Sequence, residues 1–571
     1  MKFINSSLLN KFSIFAIVAV ILLFYIACYY FSYNFFYEDD FHLLRFVAIS
    51  QDDSINIQNK IHALYDQHNE HRIIFPRLFV LIDYYIQGHI DWKVLNTVSA
   101  LYYLGIFTFF GIVIRKMKLS YWYIIPVALF IFQPSAYQNF YWTISILQQV
   151  GNLFWAMFLF YSLVYFQPKY YWISLILILV LTFTHGNGLF AFGVGGILLI
   201  MQKRYKHLII WIALMSVVAF VYFYGYFTAQ NSNIKGSLSD PIRLIGCFGG
   251  FWGGFIYDFF KKEIRVNMAI WGGLFVFILL SIINLKLVAS HFFIKSKLKF
   301  QKYFPSENLF LFSCFLYLAV TAGLVSLSRS WSSIEAGLQN RYLHNSVIAF
   351  ILLYVTILHY KSVPFRQFIG VFMLLMGVVF NIFSWYSNYE FLIFQRKSQE
   401  ADAVNYQLNN ISVVNDNSFN QNISSTLSNS FKTGISVFPK SKLLSAIEST
   451  DSLKLNQPID YQIDIQKDSS LEYNISNSQY RDIYEFNNFT MPYEGNVYIV
   501  LKSKKNTFIN ATNHRRNSKI SFLKTGQYFT DGFMTTIMTD AMPKNEYQVG
   551  ILQNVKNHFV YFPTKYKIQT R

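Results

Sequence analysis

Charged residues are scarce in this sequence. Of its 571 residues, 14% are Asp, Glu, Lys or Arg and 54% are hydrophobic, whereas a soluble domain carries roughly 25% charged residues. A water-soluble chain of this length cannot bury so much apolar surface. Apolar runs of about 20 residues, the length that crosses a bilayer, recur through the first two thirds of the chain. The sequence therefore predicts a polytopic α-helical membrane protein that has the lipid bilayer as a partner.

Cysteine is equally scarce, and the spacing of zinc ligands is absent. Cys28, Cys247 and Cys314 lie in apolar stretches, where cysteine behaves as a small buried hydrophobe. The net charge of +18 would suggest nucleic-acid binding in a soluble protein. Here the basic residues form short clusters between apolar runs, as cytoplasmic loops do. We therefore expect no metal, no other cofactor and no nucleic-acid partner.

About eleven membrane spans are predicted from the apolar runs. The first is interpreted as a retained helix, because no small-residue cleavage site precedes Tyr37. The predicted spans are Phe12–Tyr30, Trp92–Ile114, Tyr121–Phe140, Ile144–Phe166, Tyr170–Phe183, Gly188–Met201, His207–Thr228, Met268–Leu287, Glu307–Ser326, Tyr342–Tyr360 and Phe365–Tyr386.

The distribution of Lys and Arg predicts the orientation of these spans. Basic clusters all fall inside if the N-terminus is cytoplasmic and if Ile73–Gln87 is an interfacial helix on the outer surface. Histidines, acids and isolated arginines then gather on the outer face. We expect a multi-pass protein of the inner (cytoplasmic) membrane whose outer face carries the function; this face would be periplasmic in a Gram-negative cell or lumenal in a eukaryote.

The composition changes after Tyr386 and predicts a second domain. Residues 1–386 are interpreted as the membrane domain, with a first outer loop at about 33–91, and 387–571 as a β-rich extracytoplasmic domain. Asn496–Leu501 and His558–Phe562 have the composition of strands. The Asn/Ser-rich segment Asn405–Thr433 predicts a flexible lead-in.

Two polar groups in the first outer loop are candidates for chemistry. One is Glu38-Asp39-Asp40 with His42, and the other is the stretch from His68 to Arg72. Adjacent acids cannot both face one pocket, so we expect one carboxylate at a reaction site and another capping a helix or pairing with a base. Which of Asp39 and Asp40 takes which part stays open.

Later stretches repeat this pattern of isolated polar residues at predicted helix ends. His185 lies in a glycine turn between two short apolar segments, which predicts either a broken helix pair at a cavity or a tight surface hairpin. The glycine-rich residues 246–254 allow a re-entrant segment or closely packed helices. Gln138-Asn139-Phe140-Tyr141-Trp142 and Gln339-Asn340-Arg341-Tyr342 complete the set.

Taken in order, these stretches resemble the glycosyltransferase C superfamily. The resemblance covers roughly Phe12 to Tyr386 and rests on the acids after the first span, on 69–78 (NEHRIIFPRL), on 138–142 with Gln148-Gln149, on 185–189 (HGNGL), and on 328–330 and 339–342. Several of these stretches look like those of a bacterial branch that contains uncharacterised membrane proteins and O-antigen-modifying Gtr-type glucosyltransferases.

The resemblance implies a reaction and a set of roles. A sugar moves from a polyprenyl-phosphate carrier to a cell-envelope glycan by an inverting displacement, with Asp39 or Asp40 as the base. The candidates for binding the donor phosphate are Arg72, Arg77, Arg329, Arg341, His71 and His185. The candidates for contacts to acceptor or sugar are Glu38, His42, Glu70 and Trp142.

Other functions remain open at this point. A transporter or flippase of a lipid-linked sugar would favour ionisable residues at mid-bilayer and an internal repeat, and the sequence shows no repeat. A non-catalytic, membrane-anchored glycan-binding protein would not need eleven spans. Within the enzyme class, O-antigen ligase and protein O-mannosyltransferase activities are not distinguished.

Overall fold

A computed structural model describes residues 6–228, 232–293, 306–360, 362–414, 417–449, 463–468, 483–488, 496–555 and 558–570. The chain forms two compact units. The first comprises Met1–Tyr29, Asp53–Leu81 and Asn96–Asn388, and the second comprises Tyr30–Asp52, Ile82–Leu95 and Tyr389–Arg571. The first unit ends close to the predicted boundary at residue 386, but the segment with the three acids belongs to the second unit.

The chain is mostly helical, and its long apolar helices mark it as a membrane-associated protein. Among the described residues, eight helices are long and apolar enough to cross a membrane. They are Ser7–Phe31, Trp92–Lys116, Thr143–Tyr165, Tyr205–Phe223, Arg265–Lys286, Ser306–Arg329, Asn340–His359 and Val363–Asn409. Each overlaps a predicted span, and the last continues well beyond the predicted end at Tyr386.

The other three predicted spans correspond to shorter apolar helices, which are Tyr121–Ile131, Pro168–Thr182 and Gly186–Met201. The first was expected to continue to Phe140. It ends early because Gln133 turns back, accepting from the Ser135 N–H at 2.6 Å and donating to the Phe130 carbonyl at 3.0 Å. The remaining α-helices are Phe41–Gln51, Ile57–Tyr65, Ile74–Gln87, Ile234–Leu238, Pro241–Gly253, Asn417–Lys432, Lys442–Glu448 and Lys519–Thr525.

Glycine allows two helices of the first unit to pack closely. A Cβ on Gly253, at the end of Pro241–Gly253, would overlap the carbonyl oxygen of Ala269 in the next helix. A Cβ on Gly273 would overlap the backbone of Gly253 in turn. Small residues at such a contact let membrane helices approach each other. For the glycine-rich residues 246–254, this arrangement favours close helix packing over a re-entrant segment.

The first outer loop folds into short elements. The expected interfacial helix at Ile73–Gln87 is present as the helix Ile74–Gln87. Strands β1 (Gln67–His68) and β2 (His71–Arg72) form a small antiparallel hairpin that precedes this helix in the chain. The position of this helix relative to a bilayer stays a prediction.

The second unit contains two four-stranded antiparallel sheets, as the β-rich composition predicts. Their strands are β3 (Asp464–Asp468), β4 (Ile483–Asn488), β5 (Val497–Lys502), β6 (Thr507–Ala511), β7 (Asn513–Arg516), β8 (Phe529–Met538), β9 (Glu546–Val555) and β10 (His558–Gln569). One sheet has the order β10-β9-β5-β6 and the other β3-β4-β8-β7. Both predicted strands are confirmed as β5 and the start of β10.

Strand β5 is apolar at every position but its last because both of its faces are covered. Ile499 and Leu501 pack into a core shared with the other sheet. Tyr498 and Val500 point the opposite way, into a second core formed with Leu443 of the helix Lys442–Glu448. A continuous apolar run is typical of a strand that is buried on both sides.

The flexible lead-in predicted at Asn405–Thr433 is largely helical instead. The helix Val363–Asn409 extends into it, and Asn417–Lys432 follows. Ile423 and Leu427 are four residues apart, so they share one face of the second helix, and both are buried. The Asn/Ser-rich composition concealed this amphipathic spacing.

Candidate functional site

The three consecutive acids occupy a short turn at the start of a helix in the second unit. Glu38–Asp40 forms a 3-10 turn that leads into the helix Phe41–Gln51. Asp40 is 1% exposed, and its carboxylate accepts the backbone N–H of Tyr37 at 3.3 Å. Asp40 therefore acts as a local cap of the turn.

The neighbours of Asp40 are more accessible. Glu38, Asp39 and His42 are half-buried. Glu38 has φ +42°, a left-handed conformation that costs a non-glycine residue about 1–3 kcal/mol and recurs at functional sites. Of the two candidate bases, Asp39 is thus the more exposed carboxylate and Asp40 the buried one.

In the first unit, the β1–β2 hairpin presents the second polar group. His68 pairs with His71, so Asn69 and Glu70 form the two-residue turn. Asn69 has φ +48°, a conformation that asparagine adopts more readily than most residues. The turn thereby fixes the directions in which Glu70 and His71 leave the backbone.

Arg72 anchors this hairpin. Its guanidinium is buried and donates to the carbonyls of Tyr222 at 2.7 Å, Tyr224 at 2.6 Å and Tyr65 at 3.0 Å. It also lies 3.9 Å from the centre of the Tyr65 ring. Because the Tyr222 and Tyr224 carbonyls lie at the end of the helix Tyr205–Phe223, the cation complements the partial negative charge there.

Arg77 makes a similar anchor nearby. It is buried and donates to the carbonyls of Leu64 at 2.9 Å and Asp66 at 2.6 Å, at the end of the helix Ile57–Tyr65. These bonds give Arg72 and Arg77 a role in holding helix ends. They do not favour the phosphate-binding role that the sequence suggested.

A cavity of about 260 Å³, whose largely apolar wall carries a cluster of polar side chains, lies in the first unit beside this hairpin. Its walls come from the hairpin turn, from the turn after Pro168–Thr182 and from the ends of the helices Tyr205–Phe223 and Ser306–Arg329. The polar side chains that line it include Glu70, His71, Gln149, His185, Tyr222 and Arg329. Four predicted site residues thus meet in one cavity.

An ion pair spans this cavity. One terminal nitrogen of Arg329 lies 3.0 Å from Oε1 and 3.1 Å from Oε2 of Glu70. The two side chains are 24% and 16% exposed. The phenols of Tyr222 and Tyr226 lie 3.4 Å from the Glu70 carbonyl and donate to it. The pair is therefore partly desolvated, in a position that a solute in the cavity can reach.

Two histidines whose rings are in contact, tilted by 35°, form a neighbouring wall. The rings of His71 and His185 lie 3.9 Å apart. Nδ1 of His71 accepts the backbone N–H of Gly186, and Nδ1 of His185 accepts that of Asn187, both at 3.3 Å. Since each Nδ1 is an acceptor, a neutral ring carries its proton on Nε2. Nε2 of His185 lies 3.3 Å from the Gln149 amide.

The surroundings keep both rings neutral. Burial, together with the charges of Arg329 and Arg341, lowers the pKa of His185 to about 3. Burial, with His185, His68 and Arg329 nearby, lowers the pKa of His71 well below its ordinary value. At neutral pH the cavity therefore holds one ion pair and two uncharged imidazoles.

Arg341 and Trp142 lie beside this group. Arg341 donates to Gln339 at 2.7 Å, and its guanidinium lies 5.7 Å from the Trp142 ring and 5.2 Å from the Tyr342 ring. Trp142 is 5% exposed. Its burial favours support of Arg341 over direct contact with a sugar.

Comparisons of the chain with protein-family models, curated proteins and solved structures found no match. Functional inference therefore depends on the arrangement of its own side chains.

Sequence reasoning missed the tyrosines of this cavity and assigned no role to Gln149. Tyr222 and Tyr226 lie in an apolar, aromatic-rich run that looks like an ordinary membrane helix end. The predicted span His207–Thr228 would have put both on one helix face, but the helix ends at Phe223 and Tyr226 follows it. In the described part of the chain, no group of three His, Cys, Asp or Glu side chains is placed to hold a metal ion.

Proposed function

We propose that the chain is a multi-pass membrane glycosyltransferase, similar to the glycosyltransferase C superfamily, that moves a sugar from a polyprenyl-phosphate carrier to a cell-envelope glycan such as an O-antigen. One observation carries the proposal: a cavity within the apolar-helix unit holds the Glu70–Arg329 pair beside two neutral histidines. Ionisable groups inside a membrane unit are costly and usually mark functional sites.

Arg329 is our candidate for binding the donor phosphate. Without a ligand, the Glu70 carboxylate occupies its terminal nitrogen. A phosphate offers oxygens in a geometry that arginine can bind through two hydrogen bonds, so it can replace the carboxylate. When the bond from the sugar to the phosphate breaks, negative charge develops on the phosphate and its interaction with Arg329 strengthens. Arg341 adds positive charge beside His185.

His71 and His185 act as hydrogen-bond donors in this proposal. Their Nδ1 atoms accept backbone N–H groups, so the ring proton is on Nε2. Nε2 of His71 would donate to a phosphate oxygen, and at His185 the phosphate would have to replace the Gln149 amide, which lies 3.3 Å from Nε2. A neutral donor stabilises the leaving group without adding a further positive charge to the cavity. Arg72 and Arg77 drop out of the phosphate site because they hold helix ends.

Asp39 is our candidate for the general base. The superfamily resemblance implies an acid of the first outer loop, and Asp40 is committed to the cap at Tyr37. The base takes the proton from an acceptor hydroxyl, whose oxygen attacks the anomeric carbon. The carbon–oxygen bond to the phosphate breaks on the opposite side, and the configuration inverts. Glu38 and His42 would contact the acceptor; no metal or cofactor takes part.

The membrane arrangement belongs to the same proposal. Eleven spans, with the three shorter helices included, put the N-terminus in the cytoplasm and the β-rich domain in the periplasm. A phosphatase reporter fused after Asn409 should be active in a bacterial periplasm. If a fusion at this position is active only with a cytoplasmic reporter, the orientation is contradicted.

Substitution of Arg329 tests the assigned site. Arg329→Gln should lower kcat by about 10²–10³-fold, as loss of one transition-state donor does. Arg329→Lys should not restore it, because an ammonium lacks the planar fork. Arg243→Gln is the matched control. It removes the same charge from a more exposed ion pair, in which Nε of Arg243 lies 3.6 Å from Oδ2 of Asp240. Wild-type turnover by Arg329→Gln would contradict the site. Movement of intact lipid-linked sugar across vesicles, without a glycosylated product, would favour a flippase.

A further inference from the structure

An apolar groove of about 540 Å³ also lies in the first unit, and it shares no lining residue with the cavity that holds Glu70 and Arg329. It runs between the helices Ser7–Phe31 and Trp92–Lys116 and is closed by the start of Tyr121–Ile131. Its volume is within the range of about 300–1,000 Å³ that is usual for ligand sites. The residues that shape it are Ile14, Val18, Phe107, Gly111, Ile112 and Ile124.

Gly111 creates the space in this groove. A Cβ built on Gly111 would have one neighbour, Cδ1 of Ile124, at 4.0 Å. A larger residue would therefore fit without moving the backbone and would project into the groove. The hydroxyl of Thr108 donates to the Leu104 carbonyl of its own helix at 2.7 Å, so this side chain adds little polarity to the wall.

Two cations stand at one end of the groove. Arg115 and Lys116 are exposed and line it at the end of Trp92–Lys116. Arg115 lies 4.3 Å from the Tyr121 ring and donates to the Leu119 carbonyl. A guanidinium has five N–H donors, so its other donors are available to an anion.

Arg115 lies on the same helix as Gly111, so the cations and the apolar part of the groove are adjacent. The two residues are four apart on one helix, so they lie on the same face, about 6 Å apart along the axis. Lys116 is held 4.0 Å from the Tyr165 ring. The apolar groove therefore ends at two cations, an arrangement that complements a lipid with one negatively charged head group.

We propose that this groove binds one anionic phospholipid, with an acyl chain along Gly111 and the head-group phosphate at Arg115 and Lys116. The site is independent of the proposed transferase activity. Charge complementarity selects the occupant, because a zwitterionic head group would bring its own cation next to Arg115 and Lys116. Each cation near a membrane surface contributes a factor of about five in affinity for anionic lipid.

The test measures lipid retention by native mass spectrometry of the full chain, released from nanodiscs that contain equal amounts of phosphatidylglycerol and phosphatidylcholine. We expect one retained phosphatidylglycerol. Gly111→Leu should abolish its retention, and Arg115→Gln with Lys116→Gln should weaken it about 30-fold. The controls are Gly193→Leu, at another helical glycine with open space, and the paired change Lys203→Gln with Lys206→Gln, both of which should retain the lipid.

Three results would overturn the proposal. Equal retention of phosphatidylcholine would remove the charge selection. Undiminished retention in Gly111→Leu would place the lipid elsewhere. Retention of added polyprenyl phosphate in place of phosphatidylglycerol would assign the groove to a different lipid. The stability of each variant in detergent, measured without added lipid, separates loss of the lipid from loss of the fold.

Discussion

The Glu70–Arg329 pair offers the sharpest test of the cavity. Glu70→Gln keeps the size of the side chain but leaves the Arg329 cation without its carboxylate partner, 3.0 Å away. Breaking a fully buried pair costs about 3–5 kcal/mol, whereas an exposed pair contributes about 0–1 kcal/mol. With side-chain exposures of 24% and 16%, we expect a loss of about 2 kcal/mol in the free energy of unfolding.

The same variant should bind anions better. In the wild type a phosphate must displace the Glu70 carboxylate, and in Glu70→Gln it meets an uncompensated cation. Added polyprenyl phosphate should therefore stabilise Glu70→Gln more than the wild type, and this can be measured by unfolding in mixed detergent micelles. The double change Glu70→Gln with Arg329→Gln should recover part of the lost stability, as coupled pairs do. Additive effects, or equal stabilisation of both proteins by the lipid, would refute the exchange of partners at Arg329.

Three further predictions follow from single residues. Asp39→Asn should fold and still bind the lipid-linked sugar but transfer it about 10²–10⁴-fold more slowly, whereas Asp40→Asn should keep its activity because asparagine caps as well as aspartate; unchanged rates in both would remove the proposed base. Asn69→Gly should be tolerated at φ +48°, while Asn69→Val should misplace Glu70 and lower turnover, and similar activities of the two would contradict the turn geometry. Folding lowers the pKa of His185 from 6.5 to about 3, so the stability that its neutral ring contributes is complete above pH 6.5 and is lost as the pH falls to 3. His185→Asn should make the unfolding midpoint depend less on pH across that range. An unaltered pH profile would count against a buried neutral imidazole.

The apolar helices were predictable because membrane length and composition are local properties. Within the described residues, eight long and three short apolar helices overlap the apolar runs of the sequence. The early end at Ile131 was not predicted, because it depends on the Gln133 side chain turning back onto its own helix. Helicity in the Asn/Ser-rich segment was missed because its buried face carries the polar residues Asn420 and Ser430 beside Ile423 and Leu427.

The roles of the arginines could not be separated from the sequence. Arg72 and Arg329 both looked like isolated outer-face cations. Arg72 donates to carbonyls at the end of a helix 150 residues away, and Arg329 pairs with a carboxylate 259 residues away. Such partners are set by tertiary packing. His71 and His185 were both predicted for the phosphate site, but the contact between their rings was not, because the adjacent amides of Gly186 and Asn187 orient them.

The most direct test of the proposed function is product formation by the purified full chain. The protein in nanodiscs would be incubated with a polyprenyl-phosphate-linked labelled sugar and an envelope glycan, and the lipid and glycan products quantified together. We predict that one polyprenyl phosphate is released for each sugar attached, with inverted configuration at the anomeric carbon by NMR. Binding of the lipid-linked sugar without any labelled glycan, across the donor sugars and acceptors tried, would contradict the proposal that this chain is a glycosyltransferase.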